Sequence, residues 1–297
     1  MAIFDTYTQL RQQEDVQDEI YLVSPVDNPC ASLSKSIQAT GRYHEYTEDK
    51  LRAAAKNARP EGATARAASH DPVTEKGVYL QIFDGVAEIS ATLEVVAKYG
   101  RNSEMSYALE KEYSALANDE ELAIMGAPGG TRQTGASGST GVARELPSFH
   151  NQLDAAVIVD AALTTTVVDL EADLVAAHMA TYNLGGRPSI LFTNPANSLY
   201  IADFARSTAR HRDIRNETTI VNVVDRYASM FGEMDVVIDR NQDDCFIGMD
   251  PAYAATPILR PTSDKPLPED GDFHRRLVNR ESSFAILNSE AHFMVDN

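Results

Sequence analysis

Tryptophan is absent from this 297-residue chain, cysteine occurs only twice, and lysine plus arginine number 26 against 44 acidic residues. Each shortage removes a class of function. A formal net charge of −18 leaves no broad basic surface to neutralise a run of phosphates, which argues against a body that wraps nucleic acid. Solubility alone accounts for the same charge equally well. Cys30 and Cys245 lie far apart and belong to no ligand-spaced group, so two buried apolar thiols are expected rather than a zinc site. No apolar run approaches the length that spans a bilayer. The first residues, MAIFDTYTQLRQQEDVQDEI, are acidic and polar where a secretory leader is basic and then apolar. The chain therefore reads as soluble and intracellular when made, and it is long enough to bury one large core or two.

Catalytic signatures are missing as well. Gly130 and Gly135 have the outer spacing of a phosphate-binding loop, but Ala136 stands where that loop needs lysine. His211-Arg212-Asp213 resembles a kinase catalytic loop, yet Thr218 replaces the magnesium-binding asparagine. No Gly-x-Ser-x-Gly elbow occurs, and the seven histidines have no metal-ligand spacing. Asp239, Asp243 and Asp244 form an acidic turn with oxygen ligands for a divalent cation, although such turns are commonly just solvated. The reading is of a non-enzyme with no cofactor and no metal.

What is present is order. Asp5 to Tyr21 has short helical spacing, stopped by Ser24-Pro25 and Asn28-Pro29. Arg42 to Lys76 holds few large apolar residues and no period. Val78 to Val96 partly alternates, as a half-buried strand bent at Gly85 would. Asn102 to Met125 predicts a long helix capped by Asn102 or Ser103, with Met105, Leu109, Tyr113, Leu116, Leu122 and Ile124 on its apolar side. Glu104, Glu110, Glu112, Asp119 and Glu120 then fall on a face that meets water or positive partners. Gly126 to Gly141 reads as a flexible linker between sequence halves. Beyond it, a helix over Thr166–Asn183, strands over Ser189–Thr193, Ile220–Val224, Glu233–Asp239 and Cys245–Met249, and a helix over Ala196–Ser207 predict mixed α and β structure. An extended, proline-punctuated stretch covers Ala254–Pro261, and a tail over Arg275–Val295 should return to the first half as one or two strands. There is no internal repeat.

The charge distribution is uneven. Lys50, Arg52, Lys56, Arg59 and Arg66 fall within a stretch that holds one acid, Glu61. A positive arm on a negative body is self-complementary, so copies of the chain should attract one another. Those five cations, with Glu110, Glu112, Asp119 and Glu120, are the candidate inter-subunit contacts.

Several stretches, in this order, carry a resemblance: SPVDNPCASLSK (Ser24 to Lys35), RYHEYTEDKL, Asn57 with the Pro60-Glu61-Gly62 turn, Gln81-Ile82, Ile89-Ser90-Ala91-Thr92, NDEELAIM before a glycine-rich break, FTNPANS, and Phe231-Gly232-Glu233-Met234-Asp235-Val236-Val237. Over nearly its whole length the chain resembles major capsid proteins of tailed bacteriophages with the Hong Kong 97-type fold. His44-Glu45-Tyr46 departs from the tryptophan frequent where the family's loop begins. The resemblance implies an α+β fold with an N-terminal arm (1–40), an extension loop (41–77), a peripheral domain (78–145 with 255–297, including a spine helix over 102–125) and an axial domain (146–254). It implies pentamers and hexamers closing an icosahedral shell around double-stranded DNA without sequence-specific binding. Scaffolding protein, portal and a decoration protein are the implied partners, with assembly in the host bacterial cytoplasm. The lysine–asparagine crosslink of some members would fall on Lys50 or Lys56 and Asn57. An encapsulin-like nanocompartment shell has the same fold and stands as the alternative.

Overall fold

The computed structural model describes residues 28–52, 54–65, 72–96, 103–126, 132–160, 167–207 and 226–296. The helix expected over Asp5–Tyr21, the strand expected over Ile220–Val224 and Arg66 lie outside the described residues. The helices are α1 (Pro29–Leu33), α2 (Ala91–Val95), α3 (Glu104–Met125), α4 (Val167–Leu184) and α5 (Ser198–Ser207). The strands are β1 (Lys35–Gln38), β2 (Tyr43–Glu48), β3 (Thr74–Tyr79), β4 (Gln81–Ser90), β5 (Thr134–Ala136), β6 (Glu145–Pro147), β7 (Ile158–Asp160), β8 (Ile190–Thr193), β9 (Arg226–Ser229), β10 (Gly232–Ile238), β11 (Cys245–Met249), β12 (Ala254–Pro266), β13 (Phe273–Ser282), β14 (Ala285–Ile286) and β15 (Phe293–Asp296).

Two sheets organise the chain. The first runs β1-β12-β13-β4 with β14 on β12; the second runs β7-β15-β11-β8-β10-β9. In the second sheet the central strands β8, β11 and β15 are buried on both faces, and the reason is packing on both sides. Leu191, Phe246, Phe293 and Val295 point to a core with Leu174 and Ala177 of α4 and Ile201 and Phe204 of α5. Their neighbours Ile190, Phe192, Ile247 and Met294 point the other way, to a core that also holds Phe83 of β4 and Leu116, Ile124 and Met125 of α3. That second core joins the two sheets into one packed unit. Gly248 lies beneath Phe293, where an added Cβ would come within 2.1 Å of the ring.

The spine helix forms as its sequence predicts. Ser103 caps it, its Oγ accepting the Ser106 N–H at 3.2 Å, and the Glu94 carboxylate accepts the Glu104 N–H at 2.9 Å. Its 22 residues extend about 33 Å. Tyr113 and Leu122, expected on its apolar side, are instead exposed, while Ala123, Ile124 and Met125 of the last turn enter the core together.

Four expectations change. The stretch Val78–Val96 is not one bent strand: the chain divides at buried Leu80, whose N–H bonds the Arg42 carbonyl. β3 then pairs with β2, and β4 pairs in unbroken register with β13, from Gln81↔Ser282 to Ser90↔Phe273. β4 keeps its pairing through Gly85, over which the Glu112 carboxylate of α3 packs, 2.6 Å from where a Cβ would be. The region read as having no period therefore begins and ends in a two-stranded ribbon.

The glycine-rich stretch, read as a flexible linker, forms a hairpin over its described part. β5 pairs with β6, and Gly135, Gly138 and Gly141 adopt positive φ between 62° and 82°, the left-handed conformations its turns require. Arg132 fastens the hairpin to Asp243 at 2.9 Å and to Asp296. The acidic turn is accordingly not simply solvated, since Asp239 and Asp243 are both buried. Finally, β13 returns to the first half as expected, but β15 inserts between β7 and β11 in the second sheet. Both cysteines are buried and free.

Candidate assembly interface

The ribbon of β2 and β3 carries the basic loop, and its root is tied to the far end of the chain. Glu48, buried at the end of β2, accepts the Ser289 N–H at 2.8 Å and pairs with Lys76 of β3 at 2.8 Å. Lys76 also donates to Ser289 Oγ at 2.8 Å. Tyr43 and Tyr79 pack in a tilted pair across the other end of the ribbon, with ring centroids 4.6 Å apart. Lys50 pairs with Glu290. These contacts fix where the loop leaves the body.

Beyond that root the described loop is solvent-facing throughout. Leu51 is 98% exposed, a poor place for leucine unless another surface covers it. Arg52, Lys56 and Arg59 are exposed. Arg59 turns back to donate to the Thr64 carbonyl, and Ala63 N–H bonds the Pro60 carbonyl at 3.3 Å, closing the Pro60-Glu61-Gly62 turn. A cleft of about 480 Å³ opens beside the loop root, lined in part by Asp49, Lys50, Leu51, Leu184, Tyr253 and Glu290.

The acidic candidates on α3 divide. Glu110 and Asp119 are exposed, and Glu112 is half-buried over Gly85. Glu120 was expected on the same outward face but is 4% exposed. Arg280 of β13 pairs with it at 3.0 Å, and Ser282 Oγ donates to it at 2.5 Å. A carboxylate with a strand packed over it needs such partners, so the counter-charge of Glu120 is inside its own subunit. Glu104 is buried as well. The helix faces β4 and β13 along more of its circumference than its apolar pattern indicates.

Other large apolar side chains stand out at projecting points. Met230, at the tip of the β9–β10 hairpin, is 90% exposed, and Val95 at the end of α2 is 85% exposed. Sequence reasoning singled out neither, because a lone exposed apolar residue leaves no periodic trace.

Reactive-looking groups are held neutral. His150 Nε2 and Cys245 Sγ approach to 3.2 Å. Burial pushes the thiol up to about 12 and the imidazole down to about 4. Such a pair keeps its thiol protonated and lacks the thiolate a nucleophile requires. Among the described residues no group of three His, Cys, Asp or Glu side chains stands where it could hold a metal ion, and no helix is long and apolar enough to cross a membrane.

Comparison with known proteins accounts for this arrangement of loop, spine helix and two sheets. The family model of the SU10 major capsid protein matches residues 2–297. A major capsid protein from Escherichia phage Phieco32 is 22% identical, covering 94% of this chain and 92% of its own. The capsid of a native GTA particle superposes with a TM-score of 0.64 at 13% identity, over 98% of this chain and 95% of that one. The SrpI encapsulin of Synechococcus elongatus PCC 7942 superposes at 0.61 with 9% identity, over 100% and 96%. The fold is the Hong Kong 97-type capsid fold, and the chain belongs to the SU10 major capsid protein family, the proteins that form the virion shell of a tailed bacteriophage.

Proposed function

We propose that the chain closes its shell by laying the basic loop, Lys50 to Arg66, on the acidic outer face of α3 in a neighbouring copy. Arg52, Lys56 and Arg59 supply the positive charge and Glu110 and Asp119 the negative, with Glu112 at the edge of the patch. The single observation that carries this reading is the exposed loop itself, with cations and a bare leucine projecting from an otherwise acidic protein. Each contact is weak alone. A closed lattice gives every subunit many of them at once, so the shell outlasts any one bond.

In this reading the first sheet with α3 is the peripheral part of the subunit. The second sheet with α4 and α5 is the axial part, meeting its copies at the centres of pentamers and hexamers. The shell encloses double-stranded DNA and is built with a scaffolding protein, a portal and a decoration protein as further partners. No step of bond-making is assigned to the chain. The likeness to an encapsulin supports a second reading, a shell around protein cargo, but a family match over residues 2–297 favours the phage head.

The test is the triple variant Arg52→Glu, Lys56→Glu, Arg59→Glu, co-expressed with the proteins encoded beside it and viewed by negative-stain microscopy. Assembly should fail, or survive only within a narrow range of salt. Normal shells with wild-type salt tolerance would refute loop docking. Nuclease-protected DNA in purified particles, against enclosed protein, separates the two readings of the contents.

A further inference from the structure

The ribbon of β2 and β3 pairs with neither large sheet, and two clefts flank it. One is the space of about 480 Å³ at the loop root, bordered by Leu51, Leu184 and Tyr253. The other, of about 310 Å³, lies between Tyr46, Lys76 and Val78 of the ribbon and Gly135, Pro147 and Leu153. From its base, where the Leu80 N–H bonds the Arg42 carbonyl, the ribbon runs six residues per strand, or about 20 Å. A two-stranded ribbon is marginal by itself, and this one buries little at its far end: Thr47, Asp49, Thr74 and Glu75 are all exposed. It would swing about its base unless something tied that end down.

The tie is one buried carboxylate. Glu48 Oε1 accepts the Ser289 N–H at 2.8 Å, and its Oε2 takes Lys76 Nζ from the opposite strand at 2.8 Å and Ser289 Oγ at 3.3 Å. Lys76 donates to Ser289 Oγ as well, at 2.8 Å, so both strands of the ribbon close on one serine. Ser289 is a fixed point. It is buried in the crossover from β14 of the first sheet to β15 of the second. Around it the Leu287 N–H bonds the Tyr253 carbonyl at 2.8 Å and the Glu290 N–H bonds Asn288 Oδ1 at 3.0 Å. The neighbouring pair of Lys50 with Glu290 is a weaker hold, because Lys50 is largely exposed. We propose that Glu48 is a positioning residue for assembly: it fixes the angle at which the ribbon leaves the body, and it takes that angle from the crossover joining the two sheets. This rests on the reading of the basic loop as the part that reaches a neighbour. A swinging ribbon spreads the loop over many directions and lowers its effective concentration at the surface it must reach.

The direction of the ribbon is measured within one subunit, before a neighbour is present. Nitroxide labels at Thr47→Cys on the ribbon and Ala172→Cys on α4, both exposed positions, give a distance by double electron–electron resonance in unassembled subunits of the full chain. The two native thiols are buried and stay unlabelled. With Glu48 in place one narrow distance should appear. Glu48→Ala should lose it to a broad or split distribution, with circular dichroism unchanged. Glu48→Gln keeps an acceptor for the Ser289 amide but no counter-charge for Lys76, so it serves if the alanine variant does not fold, and it should broaden the distance by less. A merely structural role would lower the thermal midpoint and leave the distance narrow. A narrow distance in the folded Glu48 variants overturns the proposal, and so does a broad one with Glu48 in place. Shells are scored separately by negative-stain microscopy. A broadened ribbon with normal shells would leave Glu48 aiming the ribbon and refute loop docking as the means of closure. A narrow ribbon with no shells would leave docking standing and remove this role from Glu48.

Discussion

Two adjacent glutamates on α3 meet opposite fates. Glu120 faces β13 and is neutralised by Arg280; Glu121, one position on, reaches the core. A step of 100° around a helix separates a strand-facing ion pair from a buried carboxyl that accepts two backbone amides of α1. Removing one member of a buried pair leaves the other charged and unsolvated. Arg280→Ala should therefore destabilise the subunit by about 3 kcal/mol. Urea unfolding checks it, and a loss below about 1 kcal/mol would place the Glu120 pair among weak surface contacts.

Among the elements, the ribbon and its loop behave differently from the sheets. β2 and β3 are rooted by Glu48, Lys76 and Ser289, whereas the described part of the loop between them buries almost nothing. Its contribution to the stability of the isolated subunit should be correspondingly small. Replacing residues 54–65 with a short Gly-Ser linker should shift the thermal midpoint by no more than about 2 °C. The same variant should form no closed shells under the microscope. A large loss of thermal stability would mean that the loop folds onto its own body. The hairpin of β5 and β6 is the contrasting case. Glycine richness there marks turns with left-handed backbone, and Arg132 anchors the hairpin to Asp243 and Asp296.

For the molecule as a whole, charge is the governing quantity. A net charge of −18 repels a polyanion, and among the described residues cations such as Arg132 and Arg280 are held in internal pairs. Unassembled subunits should bind a short duplex of random sequence more weakly than about 100 µM at physiological salt. Fluorescence anisotropy measures this, and micromolar binding that weakens steeply with salt would reveal a phosphate-binding surface. On the proposed reading, DNA held inside such a wall is confined without adhesion, free to pack and to leave.

The spine helix, its serine cap and glycine stop, α4 and α5, the strands β8, β10 and β11, the basic stretch and the absence of known catalytic motifs were all legible in the sequence. Each rests on neighbours within a few positions: a cap, a period, a run of like charge. The order of weak motifs along the chain was enough to place it among phage capsid proteins. Only the tertiary structure decided which of two adjacent glutamates turns inward, that Gly85 lies under a glutamate instead of bending a strand, that a glycine-rich stretch is a hairpin, and that β15 crosses to the second sheet. Several of these outcomes depend on partners more than a hundred residues away, such as Arg280 for Glu120 and Asp243 for Arg132, and long-range packing of this kind leaves no local period to read.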